Sequence, residues 1–315
     1  MSRKFTVVGI GELLWDLFPE GKRLGGAPLN FCYHAQQLGA ESYPVSAIGA
    51  DDLGMEILDR LSVKGMADDF VEEDADWPTG TVGIVLDGQG KPTYEIHEGV
   101  AWDALPMSGK LEVLAQKTDA VCFGSLAQRN PLSRSTIHAF LRAMRPSAIR
   151  IFDVNLRQKF YSNKIIDESL RHANILKLSD EELPMLAEMF GLSGTVQDRF
   201  SDLMDRFGLM LIAYTRGADG SLLVALDEIS DHPGYPVAVA DSVGAGDSFT
   251  AALCMGLLNS KSLDEINEHA NRVAAFVCSQ AGATPALPKE LVNREWMQDF
   301  EPQNARNDAE EKKGS

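Results

Sequence analysis

The chain holds 315 residues, 44% apolar and 24% charged, with a formal net charge of -17. That length accommodates one large domain or two around a sizeable core, and so acidic a balance argues against nucleic acid or an anionic membrane surface as partner. Cys32, Cys122, Cys254 and Cys278 lie in apolar contexts without C-x-x-C spacing, which reads as reduced core thiols in a cytoplasmic protein.

Arg3 and Lys4 precede an apolar run at 5–10 that is too short for a leader peptide, and no segment approaches the ~20 apolar residues of a membrane span. The run at 5–10 predicts the first strand. Segments 15–18 and 22–24 flank Pro19-Glu20-Gly21 and predict a hairpin; segments 79–87 and 91–98, joined by Gly88-Gln89-Gly90, predict a second. Strands at 120–123, 150–154, 175–178 and 209–214 alternate with helical stripes, several closed by a C′ glycine as in Leu38-Gly39, Phe190-Gly191 and Phe207-Gly208. Such alternation predicts a doubly wound, mostly parallel α/β sheet with helices on both faces. A turn at 215–220 leads to a strand at 221–226, and apolar periodicity predicts helices from Gly246 onward and over 267–280. The domain is expected to span 1–300, with the hairpins inserted at about 12–26 and 77–103. After Phe300 apolar residues nearly vanish, so 301–315 reads as a disordered acidic tail.

The segment Asp241-Ser242-Val243-Gly244-Ala245-Gly246-Asp247-Ser248-Phe249 carries the most chemistry. Gly244, Ala245 and Gly246 let backbone N–H groups approach an anion, and the helix that follows turns its positive end toward the same point. Asp247 is then placed to take a proton from an attacking hydroxyl. Gly-Asp alone reads as readily as a helix N-cap. Rival phosphate motifs fail: around Gly90-Lys91, Val85 stands where a P-loop needs its first glycine and Pro92 where it needs Ser or Thr. Gly9-Ile10-Gly11 lacks the later glycine of a dinucleotide-binding turn, and no two histidines have zinc-hydrolase spacing.

The nine residues resemble the second signature of the ribokinase-like (PfkB) sugar kinases, with Ser242 where threonine is usual. Gly25-Gly26-Ala27-Pro28-Leu29-Asn30, closing on Leu38-Gly39-Ala40, resembles the first. Elements at Gly11-Glu12, Asp16, Gly49, Asp51, Asp153, Asn155-Leu156-Arg157, 177–182 and 215–220 extend the likeness over about 5–288. The Gly-Glu-x-x-x-Asp, Gly-Gly-Ala-Pro and Asn-Leu-Arg variants look most like the fructokinase branch. The resemblance implies a ribokinase-like fold whose hairpins form a small β-sheet lid over the sugar. In several relatives the lid also makes a dimer contact, so a homodimer through the lid is one expectation. It further implies ATP-dependent phosphorylation of a primary hydroxyl, with Mg²⁺ on the nucleotide and usually a potassium ion nearby. Asp247 would be the general base, and the Gly244, Ala245 and Gly246 amides would hold the phosphoryl group.

Position by position, the resemblance implies that Asp16, Gly25, Gly26, Asn30 and Arg157 hold the sugar. Asn30 beside Pro28 also reads as a helix-start residue, and Arg157 as a surface ion pair. Lys177, Ser179 and Glu182 resemble the element that organises Mg²⁺ and phosphate, with Ser179 departing from the usual asparagine; acidic residues are also routine in a first helical turn. Thr215, Gly217, Gly220 and Gly246 would lie against the nucleotide, although 215–220 reads equally as a plain turn. Asn271 and Cys278 would wall the adenine, or else belong to a core stripe with Ala274. Asp241 and Val243, with the turn at 281–285, would hold the monovalent cation. The sugar itself would be selected by lid residues such as Tyr94, Ile96, His97 and Trp102. Other readings are a kinase for 2-keto-3-deoxygluconate or a nucleoside, and a silent homologue that only binds sugar or nucleotide; an intact Asp247 weighs against silence.

Overall fold

The computed structural model describes residues 4–19, 21–86 and 92–292. Its centre is a nine-stranded sheet. In spatial order the strands are β13 (Ile229–His232), β12 (Ser221–Ala225), β11 (Leu211–Thr215), β10 (Ile175–Ser179), β9 (Ile149–Asp153), β8 (Ala120–Phe123), β1 (Thr6–Ile10), β4 (Glu41–Gly49) and β5 (Val71–Asp74). Every pairing from β11 to β5 is parallel, and only the β11–β12 and β12–β13 pairings at one edge are antiparallel.

Parallel strands must be covered on both faces, which explains why they read as unbroken apolar runs. Successive residues feed two separate cores: Val8, Phe123, Phe152, Leu176 and Ile212 point to one face, Val7, Cys122, Ile151, Ile175 and Leu211 to the other. Helices α3 (Gly109–Lys117), α4 (Pro131–Ala143), α5 (Asn163–His172), α6 (Leu183–Phe190) and α7 (Val196–Phe207) cover the first. On the second lie α1 (Ala27–Gln37), α2 (Asp52–Val63), α8 (Ala245–Leu258) and α9 (Leu263–Cys278).

Both hairpins form, and together they build a separate four-stranded sheet. Strands β2 (Leu14–Phe18) and β3 (Gly21–Gly25) make one, β6 (Gly80–Leu86) and β7 (Pro92–Ile96) the other, in the order β3-β2-β6-β7. The seam between them is parallel, Leu14 opposite Gly80 and Leu17 opposite Gly83. No local turn signals such a seam, because parallel pairing joins segments distant in sequence. The turn at Gly88-Gln89-Gly90 and the tail at 301–315 lie outside the described residues. Strands β4, β5 and β13 were not anticipated. Pro44 interrupts the apolar reading of β4, and β5 and β13 are four residues each with polar members.

Gly9 sets the approach of α1 to β1. A Cβ built there would lie 2.9 Å from Cys32 Sγ and closer still to the Pro28 carbonyl oxygen. Its amide donates to that sulfur at 3.1 Å. Gly9→Ala should therefore push α1 away from the sheet, lowering stability by about 1–3 kcal/mol. Urea unfolding with unchanged m checks this, and a change within a few tenths of a kcal/mol would contradict it.

Candidate active site

The close seating of α1 brings Asn30 to the carboxyl edge of the sheet, where open α/β folds gather ligands. Asn30 Nδ2 donates to Asp247 Oδ2 at 2.8 Å, across 217 residues of sequence. Asp247 stands in the first turn of α8, and the N-cap of that helix is Gly244, not Asp247. Gly244 takes φ 79°, and a Cβ on it would lie 2.5 Å from the Ala283 carbonyl oxygen. Only glycine fits there. No side-chain hydrogen bond caps this helix among the described residues; the Ala245 amide reaches the Ser242 carbonyl only at 3.4 Å, and the first turn presents the positive end of the dipole. Asp247 also lines a small cavity with Ala27, Pro28, Phe31, Asp153 and Asn155.

Lys177 completes the cradle from below. A Cβ on Gly246 would sit 3.3 Å from its Nζ, and the ammonium pairs with Asp153 Oδ1 at 3.1 Å in a buried setting. Thr250 Oγ1 bridges Asp153 Oδ2 at 3.4 Å and the Gly246 carbonyl at 2.9 Å. Burial pulls the lysine toward neutrality, but Asp153 and Glu182 outweigh it and hold its proton affinity above the ordinary value. Burial pushes Asp153 up to about 6, against the pull of Lys177. Asp247 is raised by burial as well, and the Asn30 bond, Lys177 and Arg157 offset part of that rise. A carboxylate so placed accepts a proton more readily than one in water.

The sugar-side residues converge on the same point. Asp16 lies opposite Arg23 in the β2–β3 pair, and its carboxyl is pushed up to about 6 by burial against Arg157 and Arg23. A Cβ on Gly25 would meet Asp16 Oδ2 at 2.6 Å, and one on Gly26, at φ 119°, would strike the Glu12 carbonyl. Arg157 follows Asn155, whose φ of 42° is left-handed, and its charge acts on Glu12, Asp16 and Asp247.

Glu182 is fully engaged by the backbone. Oε1 accepts from Leu156 N at 2.9 Å and Oε2 from Ser179 N at 2.8 Å, so it ties together the loops after β9 and β10. Among the described residues no cluster of three His, Cys, Asp or Glu could cage a metal. The described residues therefore offer no cage made of protein alone for Mg²⁺, and Glu182 is the carboxylate that could help hold it. Asp241 is also surrounded by donors: Val243 N at 3.0 Å on Oδ1, Gly282 N at 3.1 Å and Arg23 Nη1 at 3.0 Å on Oδ2. The Gly282 bond holds that carboxylate beside the turn at 281–285, where the monovalent cation was expected.

The residues expected against the nucleotide divide. Gly217, at φ 55°, has open space where a side chain would project, and Thr215 Oγ1 reaches the Leu178 carbonyl at 3.4 Å. Gly220 instead packs against the His232 carbonyl. Cys278 acts through its carbonyl, which accepts Ala240 N at 2.8 Å and Asp241 N at 3.2 Å. The amide nitrogen of Asn271 is buried between α9 and β12, donating to Ser221 Oγ at 2.7 Å and to Asn267, so it holds that contact together.

Sequence reasoning assigned no role to Glu12, Asp153, Thr250 or His34. The first two lie in matched motifs at strand ends, and a carboxylate closing an apolar strand is a signal that could have found them. His34, one turn after Asn30, binds the Ala283 carbonyl at 2.9 Å and left no such trace.

This arrangement agrees with a match by the pfkB family carbohydrate kinase model to residues 19–290. The chain belongs to that family. PfkB carbohydrate kinases are phosphotransferases acting on sugar hydroxyls. A Pyrococcus horikoshii protein described as a sugar kinase is 31% identical over 311 residues, covering 92% of this chain and 96% of the relative. Its structure in complex with ATP superposes with a TM-score of 0.73 at 29% identity, covering 89% of this chain and 94% of that one. The fructokinase of Salmonella typhimurium is 28% identical over 306 residues, covering 91% and 98%. An aminoimidazole riboside kinase of Salmonella enterica, solved with its riboside and an ATP analogue, has a TM-score of 0.74 at 26% identity, covering 93% and 100%. No described helix of this PfkB kinase is long and apolar enough to cross a membrane.

Proposed function

We propose that the protein transfers the γ-phosphoryl group of ATP to a primary hydroxyl of a small sugar, D-fructose foremost. The Asn30–Asp247 hydrogen bond carries this reading, because it joins the sugar signature to the phosphate signature at an uncapped helix N-terminus. Asp16, Asn30 and Arg157 orient the sugar over the tight Gly25-Gly26 backbone. Asp247 takes the proton of the attacking hydroxyl while the Ala245 and Gly246 amides and the Lys177 ammonium receive the growing negative charge. Mg²⁺, when bound with the nucleotide, neutralises the β and γ oxygens. The small sheet excludes water above the sugar.

Fructokinase relatives at about the same identity as the sugar kinase support fructose. The likeness to a riboside kinase favours a nucleoside as the second reading. A panel of D-fructose, D-ribose, 2-keto-3-deoxygluconate and aminoimidazole riboside, each with ATP and Mg²⁺, separates them. The highest kcat/KM is expected for fructose. A higher value for any other substrate moves the assignment to it, and binding without turnover across the panel would leave a silent homologue.

A further inference from the structure

Glu12 follows β1 at Gly11 and is 4% exposed, yet its Oε2 has no hydrogen-bond partner among the described residues. An ionised carboxylate with an unsatisfied oxygen in a dry site costs several kcal/mol. Asp247 lies close enough for its charge to act on Glu12, and it is the better supported of the two: Asn30 donates to it, and Lys177 and Arg157 face it. We propose that Glu12 is a positioning residue of the transfer step: the two buried carboxyls share one negative charge, and Glu12 stays neutral so that the charge resides on Asp247. This rests on the reading of Asp247 as the base.

The surroundings are consistent on every side. Arg157 faces Glu12 from the loop after β9, Asp247 from α8, and the Ala27 amide from the start of α1. Asp16 and Arg23 of the small sheet share Arg157's neighbourhood; Asp153 and Lys177 interact with Asp247, and Glu182 with both of them. Burial, with Asp247 adding to it, pushes Glu12 up to about 7 even after the backbone amides and Arg157 oppose the rise. Below that pH Glu12 is uncharged. Above it, a second charge appears beside the base and repels the incoming phosphoryl oxygens.

Glu12→Gln preserves shape and removes the titration. Wild-type kcat should bend down above pH 7, approaching about tenfold per pH unit, and the variant should lack that limb. An unaltered limb in Glu12→Gln would overturn the proposal. Infrared titration reads the same group without turnover, so it decides the matter even if the sugar assignment fails. Wild type should show, and Glu12→Gln should lack, a neutral-carboxyl C=O band that disappears with a midpoint near 7, distinct from the Asp16 and Asp153 carboxyls at about 6. Asp247→Asn, which removes the neighbouring charge, should move that midpoint down. A midpoint unmoved by Asp247→Asn, or no such band in wild type, would also overturn it.

Discussion

Asp247→Asn should lower kcat by about 10² to 10⁴, or roughly 3–5 kcal/mol of barrier, with little change in nucleotide affinity. Asparagine keeps an oxygen for the Asn30 amide, and the Ala245 and Gly246 amides are untouched, so the cradle survives the change. Folding stability should survive too, because the cap of α8 is Gly244 and Asp247 sits three residues inside the helix. Phosphoryl transfer at saturating ATP and sugar is the assay. Retention of more than about a tenth of the wild-type rate would be too much for an enzyme deprived of its base.

Lys177→Met should act on stability and activity together. The lysine and Asp153 form a buried ion pair, and removing one partner strands the other charge, at a cost of about 3–5 kcal/mol. Adding Asp153→Leu removes the stranded charge and should return most of the lost stability. Activity should stay low in both variants, since the cradle has lost the ammonium beneath Gly246. Thermal unfolding beside kcat measurements tests this. A double variant as unstable as the single one would show that the pair is not the cause, and one with wild-type turnover would remove Lys177 from the mechanism.

The sequence made the site legible where the chemistry is local. An anion cradle needs glycines at a helix start and a carboxylate one turn in, and 244–247 displays all of that within four residues. Five strands of the parallel sheet, β1, β8, β9, β10 and β11, were legible to within a residue or two for a similar reason, since burial on both faces writes an apolar run; β4, broken by Pro44, and the short polar β5 were not. What escaped depends on a second segment. Asp153 matters because Lys177 lies on the next strand, and Glu12 because of Asp247 on a helix at the other end of the chain. The β2–β6 seam pairs two hairpins that are each readable alone. The contacts of Asn267 and Asn271 with Ser230 and Ser221 also escaped, because periodicity along α9 cannot reveal what the helix packs against. Glu182 was found, but that its two oxygens bind amides was visible only once the loops stood side by side.

The bond between Asn30 and Asp247 also has a consequence for how the protein is made. Helix α1 is synthesised early, with Leu29, Phe31 and Cys32 destined for a core whose other half, in α8 and α9, emerges some 220 residues later. Until the ribosome has delivered that half and the Ala283 carbonyl that His34 binds, α1 has only strands such as β1 and β4, with α2, to pack against in that core. Contacts so distant in sequence close slowly and leave apolar surface open to chaperones or to aggregation. A nascent chain stalled between Arg157 and Asp247 would therefore hold the sugar residues but not the base.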